Sequence, residues 1–279
     1  MPRNAYPNEP QHFANIRSAI DEYILPGFAP PAPILPRSSN IFTVGSCFAQ
    51  TIHKALKEAG INSRHVMLAE AVNTPPCALL LLEHLRGKNA KTTGHFVEEK
   101  IASPENTAML RSYLPAASAF ILTLGVALQP FHEDGLPIIH ITKSTVGPKW
   151  TANGNAFHML SVDEVRSYIL RSIESMRALR PGLPVILTLS PIPLMTSVDH
   201  SAPMVQDCIS KSILRAAIAA AMEEESPDLY YWPSFEMVRW LSAHTGPVFG
   251  VDGVDQRHVS PKFIDLITSV FIERYFHPA

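Results

Sequence analysis

The sequence predicts a doubly wound three-layer α/β sandwich with a mostly parallel sheet. Three observations point to it. Short β-branched and aliphatic runs alternate with helical patterns, which is how parallel strands joined by crossover helices are written. The first such run, Ile41-Phe42-Thr43-Val44, ends on Gly45 and leads through Ser46-Cys47 straight into a helix. Late in the chain, Asp255 and His258 stand three apart on a loop just before the last helix. Both places fall at the carboxyl edge of such a sheet, where this fold class puts its ligands.

Composition narrows the classes of function. With 279 residues, 46% of them hydrophobic, the chain can bury a full core, and a formal net charge of -2 gives no basic footprint for nucleic acid. The three cysteines, Cys47, Cys77 and Cys208, are far apart and odd in number, which argues against a disulfide framework or a cysteine zinc site. Their reduced state, and an N-terminus without an apolar signal core, lead us to expect a cytoplasmic protein. The longest apolar run, Pro75 to Leu82, is too short to span a bilayer.

Residues 1–37 read as an N-terminal arm. Phe13, Ile16, Ile20 and Tyr23 suit a short amphipathic helix, and Pro26, Pro30, Pro31, Pro33 and Pro36 then favour an extended strap, serving as a lid, as an oligomer contact or simply as packing on the core. Residues 38–279 read as one α/β catalytic domain. After the first strand, Phe48, Ile52, Ala55, Leu56 and Ala59 recur at helical spacing, with Gly60 where a left-handed cap falls. Ile61 to Met67 is a second strand, and Cys77 to Leu85 a helix opened by Pro75-Pro76. Residues 87–117 are polar and show no clear period.

Ser118 to Gly125 is a buried strand, and Gly135 to Thr142 a hairpin strand followed by a polar loop, Lys143 to His158. Ser161-Val162-Asp163-Glu164 is a capping box for a helix to about Ala178. Val185 to Leu189 is another buried strand ending in Ser190-Pro191, Met204 to Met222 a long helix, and Asp228 to Trp232 the last strand. Ser260-Pro261 opens a terminal helix to Tyr275.

The chemistry concentrates at two of these places. A side chain on the turn after Gly45 sits near the positive end of a helix, which favours a thiolate or developing negative charge, and the glycine lets backbone N–H groups approach an oxyanion. Cys47 and Ser46 are therefore both candidate nucleophiles, and an inert buried thiol is the bland reading of Cys47. Asp255 and His258 make a base with its orienting carboxylate, with Asp252 as substitute for Asp255. His140 and His158 are loose histidines without metal-ligand spacing, so no metal is expected.

The stretch Gly45-Ser46-Cys47-Phe48-Ala49 also resembles the signature of the GSCFA family, related to the SGNH (GDSL) hydrolases. Further stretches extend the resemblance up to Ser260: Thr123-Leu124-Gly125, Ser190-Pro191, Ser210-Lys211-Ser212-Ile213-Leu214, and Trp232-Pro233-Ser234-Phe235-Glu236. Matching Gly45 to the glycine of a Gly-Asp-Ser-Leu motif puts Cys47 at the nucleophile's position and Ser46 at the aspartate's. Asn73 loosely matches an Asn-Pro step and would donate to an oxyanion; a turn or N-cap role is the alternative. Gly125 and Ser190, at strand ends, would line the substrate site, with a tight turn as the equally good reading of Gly125. Glu236 would brace a loop, and Lys211 would contact substrate or an ion-pair partner, or stand exposed on its helix. The acidic residue and tryptophan that commonly follow Thr-Leu-Gly in the family are absent here, where Val126-Ala127-Leu128-Gln129 stands, as is the asparagine that many SGNH enzymes use for an oxyanion.

The resemblance implies an acyl-transfer enzyme, an O-acyl esterase or acyltransferase acting on a small-molecule or glycan substrate in polysaccharide biosynthesis. No cofactor is expected. An acyl-CoA stays open as donor, although no pantetheine or phosphate motif is present. The alternative is a non-catalytic protein that binds CoA or carbohydrate on the same frame.

Overall fold

The computed structural model describes residues 5–88, 91–129, 131, 137, 158–195, 202–224 and 228–278. Among the described residues five strands form one sheet: β1 (Asn40–Gly45), β2 (Asn62–Met67), β3 (Ala119–Leu124), β4 (Val185–Leu189) and β5 (Leu229–Trp232). They pair in the order β2-β1-β3-β4-β5, and every pair is parallel. Residues of β1, β3 and β4 are almost all buried, as strands covered on both faces must be.

Alternation along the strands divides the core in two. Phe42, Val44, Phe120, Leu122, Leu124, Val185 and Leu187 face one layer, built from helices α2 (Pro75–Leu85), α3 (Lys91–Lys100), α4 (Pro104–Tyr113), α5 (Val162–Leu179) and α6 (Pro203–Met222). Ile41, Ile121, Ile186 and Trp232 face the other, where α1 (Cys47–Glu58) and α7 (Pro261–Tyr275) pack. On α1 the buried positions Phe48, Ile52 and Leu56 recur every fourth residue, and Gly60 (φ +75°) follows its end as expected.

Most expected elements stand within a residue or two of their places. The capping box is present, with Ser161 Oγ accepting from Glu164 N and Glu164 accepting from Ser161 N. Two differences have physical causes. The polar stretch after residue 87 holds two helices, α3 and α4, whose single buried stripe (Val97 on α3; Thr107 and Leu110 on α4) is too thin to register as a period. The arm is not one amphipathic helix. It forms a 3-10 turn (Pro10–Phe13), one α-turn (Ile16–Ala19) and a π-turn (Ile20–Ile24), with Ala19, Ile20, Leu25 and Leu35 buried against the α7 layer. The hairpin strand expected over Gly135 to Thr142, with His140, and the loop after it as far as Phe157 lie outside the described residues, apart from Pro137.

The strand order fixes where a crevice opens. From β1 the chain crosses one face of the sheet to β2, then returns over the other face to β3 on the far side of β1. Their connections leave the carboxyl ends of β1 and β3 in opposite directions, and a cleft forms between them.

Candidate active site

At that cleft β1 ends on Gly45, whose φ of +147° and close neighbours both exclude a side chain. A Cβ there would lie 2.7 Å from Thr123 Cβ and 2.9 Å from Thr123 O, so glycine lets β1 lie tight against β3 just before the turn. Ser46 is the N-cap of α1 and Cys47 its first helical residue. The Ser46 side chain makes no cap hydrogen bond, so it does not take up the first N–H groups of α1.

A cavity of about 300 Å³ opens over this turn. Ser46, Cys47, Asn73, Gly125, Ser190 and His258 line it together, joined by Glu70, Lys211 and Arg257. The structure thus brings six sequence-predicted site residues to one place from five separate stretches of chain. Gly45 lies just behind it, at the end of β1. Cys47 is half-buried, whereas Ser46 Oγ is buried and has no hydrogen-bond partner among the described residues. Cys77, by contrast, is fully buried beside Gln129, its thiol pushed up to about 12 by burial.

His258 Nδ1 lies 2.8 Å from Asp255 Oδ1. The same carboxylate oxygen accepts from Arg257 N at 2.9 Å, and these bonds, the Arg257 N–H first, hold the Asp255 carboxyl below its ordinary range. Nδ1 is thereby engaged, and Nε2 has no hydrogen-bond partner among the described residues. Asp252, the substitute orienter, is used elsewhere: it accepts from Ser260 Oγ and pairs with Lys262 Nζ at 2.9 Å, fixing the start of α7.

Asn73 is not an N-cap, since Thr74 caps α2, but it does close the 3-10 turn Glu70–Val72, its N–H donating to Ala69 O at 2.9 Å. It is buried, its backbone oxygen accepts from Val126 N at 3.0 Å, and its side chain lies over Gly125. A Cβ on Gly125 would stand 2.8 Å from Asn73 Cγ and 2.9 Å from Asn73 O. Close approach between these two residues is thus what requires Gly125. An asparagine amide does reach the end of β3, although it comes from the loop after β2 and not from the stretch after Gly125.

Three connections around the cavity are not evident from spacing alone. Glu70 accepts from Met195 N (2.6 Å) and from Arg257 Nη2 (2.9 Å), and Arg257 Nη2 also donates to Pro193 O at 3.0 Å, so one ion pair joins the loops after β2 and β4 to the His258 loop. On α6, Asp207 pairs with Arg239 at 2.8 Å and accepts from Leu194 N, while Ser210 Oγ accepts from Ala127 N. Lys211 is not exposed: 2% accessible, it donates from Nζ to Gly125 O at 2.6 Å. Burial lowers it to about 8. The signal in the sequence is Asp207, Ser210 and Lys211 at i, i+3 and i+4 on an otherwise apolar face. Glu236 braces the β5 end by accepting from Arg215 and from Tyr231 OH. His158 pairs with Glu164 at 2.8 Å on the helix α5 cap.

Among the described residues no group of three metal-ligating side chains forms, and no helix is long and apolar enough to cross a membrane.

Comparison with solved structures finds distant likenesses. A GDSL-like lipase from Bacteroides thetaiotaomicron is 13% identical, with 93% of this chain and 96% of that one covered and a TM-score of 0.40. A carbohydrate esterase family 3 protein from Talaromyces cellulolyticus is 11% identical, covering 84% of this chain and 94% of that one, with a TM-score of 0.37. A salicylyl-acyltransferase from a tetracycline biosynthetic pathway is 9% identical over 85% of this chain, with a TM-score of 0.39; the match spans 54% of that longer protein. At these scores the likenesses carry no argument about chemistry. No curated protein matches the sequence. The GSCFA family model matches residues 40–271, from the first residue of β1 into α7, and the chain belongs to the GSCFA family.

Proposed function

We propose that this protein is an acyl-transfer enzyme with Cys47 as nucleophile and His258, oriented by Asp255, as its base. The observation that carries the reading is the convergence of Cys47, Asn73 and His258 on one cavity at the β1/β3 cleft. His258 Nε2 takes the Cys47 thiol proton as the sulfur attacks an acyl carbonyl carbon. The carbonyl electron pair moves onto oxygen, and the α1 N–H groups and the Asn73 amide receive that charge. Collapse expels the leaving group, which takes the proton from His258, and leaves a thioester on Cys47. Water or an acceptor hydroxyl then attacks, giving its proton to His258, and releases acid or new ester as the thiol is restored. Ser46 is the weaker nucleophile candidate because its Oγ is buried. An O-acyl carbohydrate is the substrate class we favour, on family resemblance, with acyl-CoA as one candidate donor.

A specific observation supports a second reading. Among the described residues no hydrogen bond joins Cys47 to His258, as a protein that binds on this frame without catalysis would show. Catalytic hydrogen bonds are often loose without substrate, which keeps catalysis first.

The deciding experiment is the pH dependence of iodoacetamide labelling at Cys47 in the parent and in His258→Ala, followed by mass analysis after exposure to p-nitrophenyl acetate. Labelling that is fast at neutral pH and lost in the variant, with one acetyl group trapped on Cys47, is expected. Slow labelling in both, with no acetyl adduct, would transfer the assignment to the binding reading.

A further inference from the structure

Lys211 is an unusual residue to find under this cavity. Its side chain is buried, and its Nζ makes one hydrogen bond, to the neutral Gly125 carbonyl, among the described residues. A buried ammonium without a counter-charge is costly. The charged groups around it come from every neighbouring element: Asp207 on α6, Arg239 on the π-turn after β5 (Met237–Leu241), Glu70 after β2, Cys47 at the start of α1, and Arg257 with His258 before α7. Both carboxylates are already matched, Asp207 to Arg239 at 2.8 Å and Glu70 to Arg257 at 2.9 Å. Three cations therefore face two carboxylates, and one positive charge is left over. The remaining group in this set that can become an anion is the Cys47 thiol.

We propose that Lys211 is the fixed counter-charge of the Cys47 thiolate, a positioning residue that tunes the nucleophile through the field of the cavity. Lys211 anchors to Gly125 O, which holds its ammonium beside the end of β3, one strand from the Cys47 turn. The sulfur's negative charge offsets the burial of the ammonium, and the ammonium stabilises the sulfur anion. The two protons are coupled, so removing either partner moves the other's titration. This division of labour differs from that of His258: the imidazole carries the proton, and Lys211 sets how readily the sulfur gives it up. The inference rests on the acyl-transfer reading for its purpose, but its test does not need a substrate.

The test measures the Cys47 labelling rate against pH in the parent, Lys211→Met and Lys211→Gln, with near-ultraviolet circular dichroism confirming the fold. Gln retains an N–H donor for Gly125 O and lacks the charge, so it separates the field from the anchor. We expect the midpoint of labelling to rise by about one pH unit in both variants, and neutral-pH labelling to slow about tenfold. A second measurement uses the parent protein: the 13Cε resonance of Lys211 is titrated before and after Cys47 is carbamidomethylated. Its midpoint should fall once the thiolate is gone. An unchanged Lys211 titration, or Gln labelling like the parent, would overturn the proposal. Fast, His258-dependent labelling that ignores Lys211 would remove this inference alone. A parent midpoint no lower than that of a free thiol would remove it together with the acyl-transfer reading.

Discussion

The contact between Asn73 and Gly125 is the most demanding in the site at the level of single residues. Asn73 is held from both sides, by its backbone bond to Val126 and by the bare Cα of Gly125 beneath its amide. Gly125→Ala has nowhere to put its methyl group except against Asn73 Cγ and O. We expect a loss of about 1–3 kcal/mol in urea unfolding and a displaced amide. Asn73→Ala removes the amide while leaving β3 intact, and should lower kcat on an acetyl ester about a hundredfold with KM little changed. A parent-like kcat in Asn73→Ala would take the residue out of the oxyanion site and leave it a packing role.

Between elements, the Glu70–Arg257 pair matters most. It ties the loop after β2 to the loop after β4 and to the residue next to His258. Arg257→Met cuts that tie without touching the Asp255–His258 bond. On the acyl-transfer reading the imidazole keeps its orienter but its loop loses the tie to the other two loops, so kcat on an acetyl ester should fall at least tenfold while the unfolding midpoint moves little. Equal losses in kcat and stability would make the pair a brace for the fold alone. The elements themselves are legible in the sequence where one physical signal dominates: continuous apolar runs give β1, β3 and β4, and Ser-Pro or Ser-x-x-Glu caps give the starts of α7 and α5. Helix α4 carries such a cap too, with Ser103 accepting from Asn106 N and Pro104 following, a start signal that the lack of an apolar stripe conceals. Of the site, the Cys47 turn and the Asp255–His258 loop can be read locally. The Glu70–Arg257 pair cannot, because it depends on how loops far apart in sequence meet above the sheet, and the burial of Lys211 shows locally only as the i, i+3, i+4 polar pattern on α6.

For the whole molecule, acid is the condition that separates the titrating groups. His65, on the edge strand β2, bonds to Thr43 Oγ1 at 2.8 Å and stacks near His53, and burial lowers it to about 4. Unfolded, it takes a proton near 6.5. Between pH 6.5 and pH 4 the unfolded chain binds the extra proton, so stability is full above 6.5 and is lost as pH falls through that window. Partial exposure reduces the cost to about 2 kcal/mol. Urea midpoints of the parent and His65→Gln between pH 7.5 and pH 4 check this: the parent should lose more than the variant over the window. Parallel profiles would place the acid sensitivity elsewhere, for instance at Asp21, whose arginine partners Arg17 and Arg274 hold its carboxyl below the ordinary range against the opposing effect of burial.

The same arm carries a consequence for how the chain reaches this state. Ile34 N and Leu35 N both donate to Tyr275 O, His277 N donates to Leu35 O, and Arg17 pairs with Glu273. These contacts join stretches some 240 residues apart, so loop-closure entropy delays them until nearly everything between has been ordered. During synthesis the arm leaves the ribosome long before α7 exists to receive Ile20, Leu25 and Leu35. A nascent chain must carry that apolar strip unpaired for the longest time of any segment in the cluster. Chaperone capture is therefore expected to concentrate on the arm, and release to coincide with docking of the final helix.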